Sequence, residues 1–579
     1  MAPSALFAFF LGIVATASAA PHQARANGSS DAPTVQLPAG SYYGLYKPAY
    51  EQDEFLGIPY AQPPVGDLRF RPAQPLNQTW DDPRNATEYS PQCFGYGSDT
   101  WVLGNYVSED CLTINVVRPH GIAPDAKLPV AVWIHGGGLT NGGASDPRYN
   151  LTFIVEQSVK MGTPSCAEVA EAGSGNLGFR DQRVALEWVN ENIASFGGDP
   201  NKVTIWGESA GARSVATQLL AYGGRDDGLF RAAVMQSGTG LDNSFNEVPS
   251  ETDADQDAYD SIVEAAGCSS TDDTLQCLRG LSASTLSDIF NKTTSPGFGS
   301  VVDGEFLTQP RSELVKAGQF VSVPILIGTN FDEGTQFGKK GIDTDEQWAE
   351  YVASSGASNA TIEAISALYP DIPSIGLPAT LDGRPSGDLA TYGQQWKRVV
   401  SFSGDQRQHA ARRWFARQWA GRNQTAYTYH FNVLVNGLSP AQGSSHFQEV
   451  TFVFNNVQGL GYETAVAKNP YEGQPETFVT LADTMSRMWV SFFTNMDPNY
   501  SGGKFFLVPH ILAKDGEMVL KTQASCTRWP TYSVDNPRNM AFDVNATSVN
   551  YVEPDTFHME QIEYQIGKYW GTDESLAGH

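Results

Sequence analysis

Hydrophobic and polar positions alternate along this chain on two length scales. Short apolar runs at Leu128–Ile134, Val203–Trp206, Val323–Gly328 and Ala426–Leu434 are rich in Val, Ile and aromatic residues. Runs of that kind read as buried strands. Longer stretches between them, such as Gln182–Ile193, carry apolar residues at helical spacing. Strand-like runs alternating with helical stretches predict an α/β fold, a mostly parallel central sheet flanked by helices. No internal repeat or low-complexity linker interrupts the pattern. Residues 20–579 therefore read as a single domain, with atypical segments near 160–170 and 503–527.

Candidate chemistry gathers where the apolar runs stop. Val203–Trp206 runs into Gly207-Glu208-Ser209-Ala210-Gly211. Glycines two residues either side of a serine allow a sharp strand-to-helix turn that lifts the hydroxyl clear of the sheet, which marks Ser209 as a candidate nucleophile. Leu128–Ile134 runs into His135-Gly136-Gly137-Gly138, whose amides can approach a ligand closely. In an ester hydrolase, Gly137 and Gly138, with Ala210 after the nucleophile, would form an oxyanion hole. Val323–Gly328 runs into Asn330-Phe331-Asp332-Glu333-Gly334, which puts the Glu333 carboxylate on the same rim if the sheet is parallel. His446 follows in a Gly/Ser-rich loop after the last run, whereas His430 lies mid-strand and His409 in an Arg-rich helical stretch. Singly, these features also fit a loop serine, a flexible turn, a solvated acid and a structural histidine. Together, the chain order Ser, Glu, His is the one α/β-hydrolases use.

The chain resembles the type-B carboxylesterase/lipase family, and its fungal secreted branch most closely. The resemblance rests on FLGIPYAQPPVGDLRFRPAQP (55–75), SEDCLTINVVRP (108–119), WIHGGG (133–138), FGGDPNKVTIWGESAGA (196–212), GTNFDEGT (328–335) and SSHFQEVTFVF (444–454). It implies an α/β-hydrolase with Ser209 as nucleophile, Glu333 as acid, His446 as base, and Gly137, Gly138 and Ala210 as oxyanion donors. It implies a small-molecule or lipid ester as substrate and no metal or organic cofactor. It also implies disulfides Cys93–Cys111 and Cys268–Cys277. The first of these loops contains Trp101 and Tyr106 and is short, which favours a carboxylesterase over a triacylglycerol lipase. Leu139 stands where relatives have Phe. Phe331, Phe447, Phe452 and Phe454 are candidate pocket-wall residues, with core packing as their other use.

Two segments depart from the family. After Pro164 about one strand plus its loop is missing, roughly 15–20 residues. Thr152–Val159, the other stretch available there, is helical in relatives. By family topology the missing strand lies in mid-sheet, between the second strand and the one ending at His135. Its loss is expected to orphan backbone groups or to let the neighbouring strands close up, moving the glycine triplet relative to Ser209. Residues 503–527 form an extra stretch, and the two remaining cysteines, Cys166 and Cys526, fall at these two places. These departures raise two further readings: a catalytically impaired splice or gene-model variant, and a cholinesterase-like binding or adhesion domain. The complete triad argues against the second.

Charge and processing signals fit a secreted enzyme. A net charge of −27 argues against nucleic acid or an anionic membrane surface as partner. Ala5–Ala15 followed by Ala17-Ser18-Ala19 reads as a signal peptide over residues 1–19, too short to span a membrane. Sequons at Asn27, Asn77, Asn85, Asn150, Asn291, Asn359, Asn423, Asn499 and Asn545 predict N-glycosylation.

Overall fold

The apolar runs become the inner strands of an eleven-stranded sheet. A computed structural model describes residues 32–95, 106–123, 125–161, 167–169, 176–241, 251–293, 300–462, 468–499 and 527–571. In chain order its strands are β1 Thr34–Leu37, β2 Gly40–Tyr43, β3 Leu45–Lys47, β4 Gln52–Pro59, β5 Arg84–Asn85, β6 Thr113–Pro119, β7 Leu128–Ile134, β8 Ala167–Val169, β9 Gly198–Glu208, β10 Ala232–Gln236, β11 Ile325–Asn330, β12 Ala426–Phe431, β13 Arg538–Phe542 and β14 Asn550–Pro554. The large sheet has the order β14-β13-β12-β11-β10-β9-β7-β8-β6-β4-β3, and β1, β2 and β5 form a small separate sheet. Within the segment β8-β7-β9-β10-β11-β12-β13 every neighbouring pair is parallel, whereas β8 pairs antiparallel with β6. The outer pairs are antiparallel.

Alternation along the inner strands feeds two apolar layers, because successive side chains of a strand point to opposite faces. On β7, Val130, Val132 and Ile134 join the layer under α2 (Asn176–Asn192) and α3 (Ala210–Gly224). Ala131 and Trp133 join the opposite layer, covered by α1 (Leu151–Lys160) and the helix Glu476–Asn495. Trp133 and Trp206 face each other across β7 and β9 with ring centroids 4.4 Å apart, and Phe454 stacks 4.9 Å from Trp206. Such contacts add about 0.5–1.5 kcal/mol each beyond burial.

The mid-sheet strand is shortened rather than missing, which corrects the expectation from the sequence. Ala167–Val169 pairs parallel to β7, with Ile134 opposite Val169, and antiparallel to β6, with Ile114 opposite Val169. Three residues therefore occupy the gap and give β6 and β7 a backbone partner there, where an orphaned buried group would cost about 1–3 kcal/mol. The sequence hid this strand because three residues carry neither an alternation nor an apolar run. Residues 152–159 fall within α1, which Asn150 caps by accepting from the Thr152 N–H at 2.9 Å. Residues 1–31, including the expected signal peptide and Asn27, lie outside the described residues, as do Trp101, Cys166, Cys526 and the stretch 503–526.

Candidate active site

Strand register brings the glycine triplet to the serine turn. Ile134 lies opposite Gly207 on adjacent parallel strands, so the residues that follow each strand share one rim. Ser209 sits between β9 and α3 with φ 57° and ψ −119°, a strained left-side conformation for a residue with a Cβ. Its N–H donates to the Gln236 carbonyl at 2.8 Å, which fixes the turn to β10. The flanking glycines are sterically required: a Cβ on Gly211 would lie 1.9 Å from the Ile134 carbonyl oxygen, and one on Gly207 2.6 Å from the same atom. A Cβ on Gly136 would meet the Ser209 Cβ at 3.1 Å, so triplet and turn are in contact. Gly137 and Gly138 take φ 109° and 68°. Among the described residues neither of their N–H groups donates to a backbone carbonyl. Ala210 opens α3, where the first helical N–H groups have no intrahelical acceptor.

Glu333 and His446 meet from loops far apart in sequence. Glu333, directly after β11, is fully buried. Its Oε2 lies 2.6 Å from His446 Nδ1, and its Oε1 accepts from the Asn330 N–H at 2.8 Å. The histidine loop is tied to the acid loop by a reciprocal pair. Asp332 N–H donates to the Ser444 carbonyl at 3.0 Å, and Ser444 N–H donates to Asp332 Oδ2 at 2.8 Å. Asn330 Nδ2 donates to the Ser445 carbonyl at 2.7 Å. Burial, the largest influence on Asp332, pushes its carboxyl up to about 7.

Two further carboxylates surround the imidazole, and the sequence reading missed both. His446 Nε2 lies 3.1 Å from Glu208 Oε1, and no hydrogen bond joins it to Ser209 Oγ. Glu449, three residues after His446, accepts from Asn330 Nδ2 at 2.7 Å and from Gln236 Nε2 at 3.2 Å. Burial alone lowers the pKa of His446, but Glu208, Glu333 and Glu449 outweigh it and push it up to about 9. Burial likewise drives Glu208 well above the usual carboxylate range, Glu449 and Glu333 adding repulsion while His446 and Arg148 oppose it. Glu208 and His446 thus compete for a proton. The rise of His446 is the firmer direction, because Glu333 supports it through a hydrogen bond of its own. The available signals were position alone: Glu208 precedes Ser209 in its own motif, and Glu449 lies about one helical turn beyond His446.

Of the four aromatic candidates, Phe452 and Phe454 are fully buried in the core. Phe331 packs on Phe557, with ring centroids 4.7 Å apart. Phe447 lies under the Arg148 guanidinium at 4.9 Å. The ring that touches the base is Phe337, centroid 4.9 Å from that of His446. Leu139 adopts φ 64° and packs against the layer that holds α3. Disulfides join Cys93 to Cys111 and Cys268 to Cys277. Asn77, Asn85, Asn291, Asn359, Asn423 and Asn545 are exposed. Asn150 is spent on capping α1, and Asn499 holds Trp529 through both its side-chain oxygen and nitrogen. Among the described residues no group of His, Cys, Asp and Glu is arranged to hold a metal, and no helix is long and apolar enough to cross a membrane.

Known proteins match this chain in family and in fold. The model of the carboxylesterase family matches residues 31–556. Lipase 4 of Diutina rugosa is 34% identical over 556 residues, covering 86% of this chain and 90% of its own. The secreted triacylglycerol lipase LIP1 of Gibberella zeae is 34% identical over 473 residues, covering 73% and 78%. The crystal structure of Aspergillus niger EstA superposes with a TM-score of 0.71 at 25% identity, covering 93% of this chain and 99% of its own. The α/β-hydrolase fold, the strand-end rim and these matches lead to one conclusion: the chain belongs to the carboxylesterase family and is a carboxylic ester hydrolase.

Proposed function

We propose that this protein is a secreted serine hydrolase, a carboxylesterase rather than a triacylglycerol lipase, built as one catalytic domain and working through Ser209, His446 and Glu333. The observation that carries the triad is the 2.6 Å contact between Glu333 and His446 on the rim that presents Ser209. In turnover, Ser209 Oγ attacks the ester carbonyl while its proton passes to His446 Nε2. For that step Nε2 turns from Glu208 to the serine, a tightening that active sites commonly reserve for the substrate complex. Glu333 holds the Nδ1 proton and stabilises the imidazolium. The oxyanion accepts from the N–H groups of Gly137, Gly138 and Ala210, each such donor typically contributing about 3–4 kcal/mol. The imidazolium then protonates the departing alcohol. A water, deprotonated by His446, releases the acid from the serine.

The esterase preference is supported by the Cys93–Cys111 loop, closed over a separation of 18 residues, which leaves little chain for a lid. Secretion is supported by the two disulfides, bonds that persist in oxidising compartments, and by the exposed sequons. The test is hydrolysis of p-nitrophenyl butyrate by the whole chain beside Ser209→Ala, with folding checked by circular dichroism. Turnover lost in the mutant supports the triad. Turnover retained by the mutant overturns it, and a folded wild type without turnover favours the impaired-variant reading. A tributyrin series then separates the classes: a rate that saturates below the solubility limit supports an esterase, and a jump at that limit identifies a lipase.

A further inference from the structure

An exposed arginine, Arg407, lies near the His446 imidazole in a chain dominated by carboxylates. The sequence has 64 Asp and Glu against 37 Lys and Arg. Arg407, Lys339 and Lys340 are exposed and, among the described residues, form no salt bridge. The next acids along the chain are committed elsewhere. Asp343 accepts from the Gln394 N–H at 2.8 Å, and Asp345 holds Arg398 at 2.9 Å.

Arg407 connects to the site through one aromatic ring. Phe337 meets His446 edge-on at 4.9 Å, and the Arg407 guanidinium lies 5.4 Å from the same Phe337 ring. Laid end to end, these contacts keep the guanidinium within about 10 Å of the imidazole. Exposure rises outward along the path, from the nearly buried His446 to the half-buried Phe337 to the exposed Arg407. Lys339 and Lys340 follow Phe337 by two and three residues, and Lys340 Nζ rests 4.4 Å from the Tyr392 ring. A guanidinium held by a ring face keeps its edge N–H groups free for the bidentate grip that suits a carboxylate.

The backbone that presents Arg407 is unusual and well anchored. Asp405–His409 forms a π-helical turn between the helices Trp396–Gly404 and Ala410–Ala420. Such turns are rare and recur at functional sites. Within it Asp405, Gln406, Gln408 and His409 are buried, and Arg407 alone faces solvent. Asp405 Oδ2 accepts from Tyr369 Oη at 2.7 Å and lies 2.7 Å from His558 Nδ1, while His409 Nδ1 lies 3.0 Å from Thr329 Oγ1 on β11. The same strand leads to Glu333. The turn thus fixes Arg407 relative to the catalytic acid, as a preorganised subsite requires.

We propose that Arg407 binds a carboxylate carried by the substrate, so that the enzyme favours half-esters of dicarboxylic acids over neutral esters of the same length. This rests on the ester-hydrolase reading above. The chemistry at the serine is unchanged, and the distal carboxylate keeps its charge throughout. A six-carbon diacid, which spans about 6 Å between its carboxyl carbons at roughly 1.5 Å per bond with tetrahedral angles, is a probe that extends from the serine towards a group within about 10 Å of the imidazole. A single partly exposed charge pair changes rates by a modest factor.

The experiment compares kcat/KM for mono-p-nitrophenyl adipate and p-nitrophenyl hexanoate at fixed ionic strength. The quantity read is the adipate-to-hexanoate ratio in wild type, Arg407→Gln and Arg407→Glu. Lys202→Gln, at the far end of β9 from Ser209, serves as a control for net charge. The expected result is a fall of roughly three- to tenfold in Arg407→Gln, a larger fall in Arg407→Glu, and no change in Lys202→Gln. Raising the salt concentration should shrink the wild-type ratio towards that of Arg407→Gln. A ratio unaffected by either Arg407 substitution, with hexanoate turnover intact, overturns the subsite alone. Absence of hexanoate turnover in the wild type overturns the hydrolase reading, and the subsite with it.

Discussion

Glu333 and Glu208 approach opposite nitrogens of one imidazole, at 2.6 Å from Nδ1 and 3.1 Å from Nε2. Replacing each by its isosteric amide separates orientation from charge. Glu333→Gln keeps the shape but removes the anion that stabilises the imidazolium formed during attack. Two unit charges about 4 Å apart interact by about 4 kcal/mol at an effective dielectric of 20. A neutral amide recovers only part of this, so the expected loss in kcat/KM is on the order of 10²- to 10³-fold. Glu208→Gln removes a charge beside Nε2 but leaves the Nδ1 bond intact, so the maximal rate should fall far less than in Glu333→Gln.

The pH profile of kcat/KM on p-nitrophenyl butyrate distinguishes these roles. His446 must be neutral to accept the serine proton. Its pKa is pushed up to about 9, so the wild-type rate climbs with pH and levels off only above that value. Both substitutions remove a carboxylate that raises the pKa, and both should move the rising limb to lower pH. Only Glu333→Gln should also lower the plateau, and Glu208→Gln should outpace the wild type near neutrality. A Glu333→Gln plateau within tenfold of wild type would refute the assignment of the acid. A Glu208→Gln limb that does not move would show that Glu208 carries no charge beside the base.

Three other substitutions test the scaffold. Gly211→Ala places a Cβ 1.9 Å from the Ile134 carbonyl oxygen. It should cost about 1–3 kcal/mol in urea unfolding and more than tenfold in activity, and wild-type values for both would contradict the packing of the elbow. Asp555 is fully buried and binds Arg412 at 2.7 Å, Arg413 at 3.0 Å and Tyr532 at 2.8 Å. Asp555→Ala strands both guanidinium groups and should cost about 3–5 kcal/mol. Burial raises the pKa of Asp555, but the two arginines outweigh it and hold it well below the usual range. Its contribution is therefore complete above the unfolded carboxylate pKa of about 4 and fades as pH falls below that. The Tm gap between mutant and wild type should narrow on acidification, and a gap constant with pH would exclude this origin. Thr344 and Gln347 form a reciprocal cap on the helix Asp345–Ala353. Thr344→Ala should cost about 1 kcal/mol in urea unfolding, and an unchanged midpoint would show that the cap contributes nothing.

What the sequence revealed of the site follows from how local each constraint is. The serine turn was legible because two glycines two residues from Ser209 are needed to clear the Ile134 carbonyl. Glu333 and His446 were legible through chain order and their place after apolar strands. Glu208 and Glu449 were not, because their importance arises only when loops more than 100 residues apart converge on one imidazole. Phe452 and Phe454 were candidate pocket walls, and burial sends them to the core instead. Phe337, which does pack on His446, and Arg407, which packs on Phe337, belong to a short helix and a π turn without sequence periodicity.

The shortened strand shows why an illegible element need not disturb a legible site. The sequence raised the concern that a defect beside β7 would shift the glycine triplet from Ser209. β8, however, lies on one side of β7 and β9 on the other. The contact that positions the triplet is the direct β7–β9 pairing, which runs in continuous register from Val130 opposite Val203 to Ile134 opposite Gly207. Across that boundary Trp133 packs on Trp206, and the Gly207 and Gly211 backbones close on the Ile134 carbonyl. β8 has only to supply hydrogen-bond partners to the far edge of β7, and three residues reach as far as Ile134, the last residue before the His135 turn. The loss of sheet length is therefore borne on the β6 side, away from Ser209.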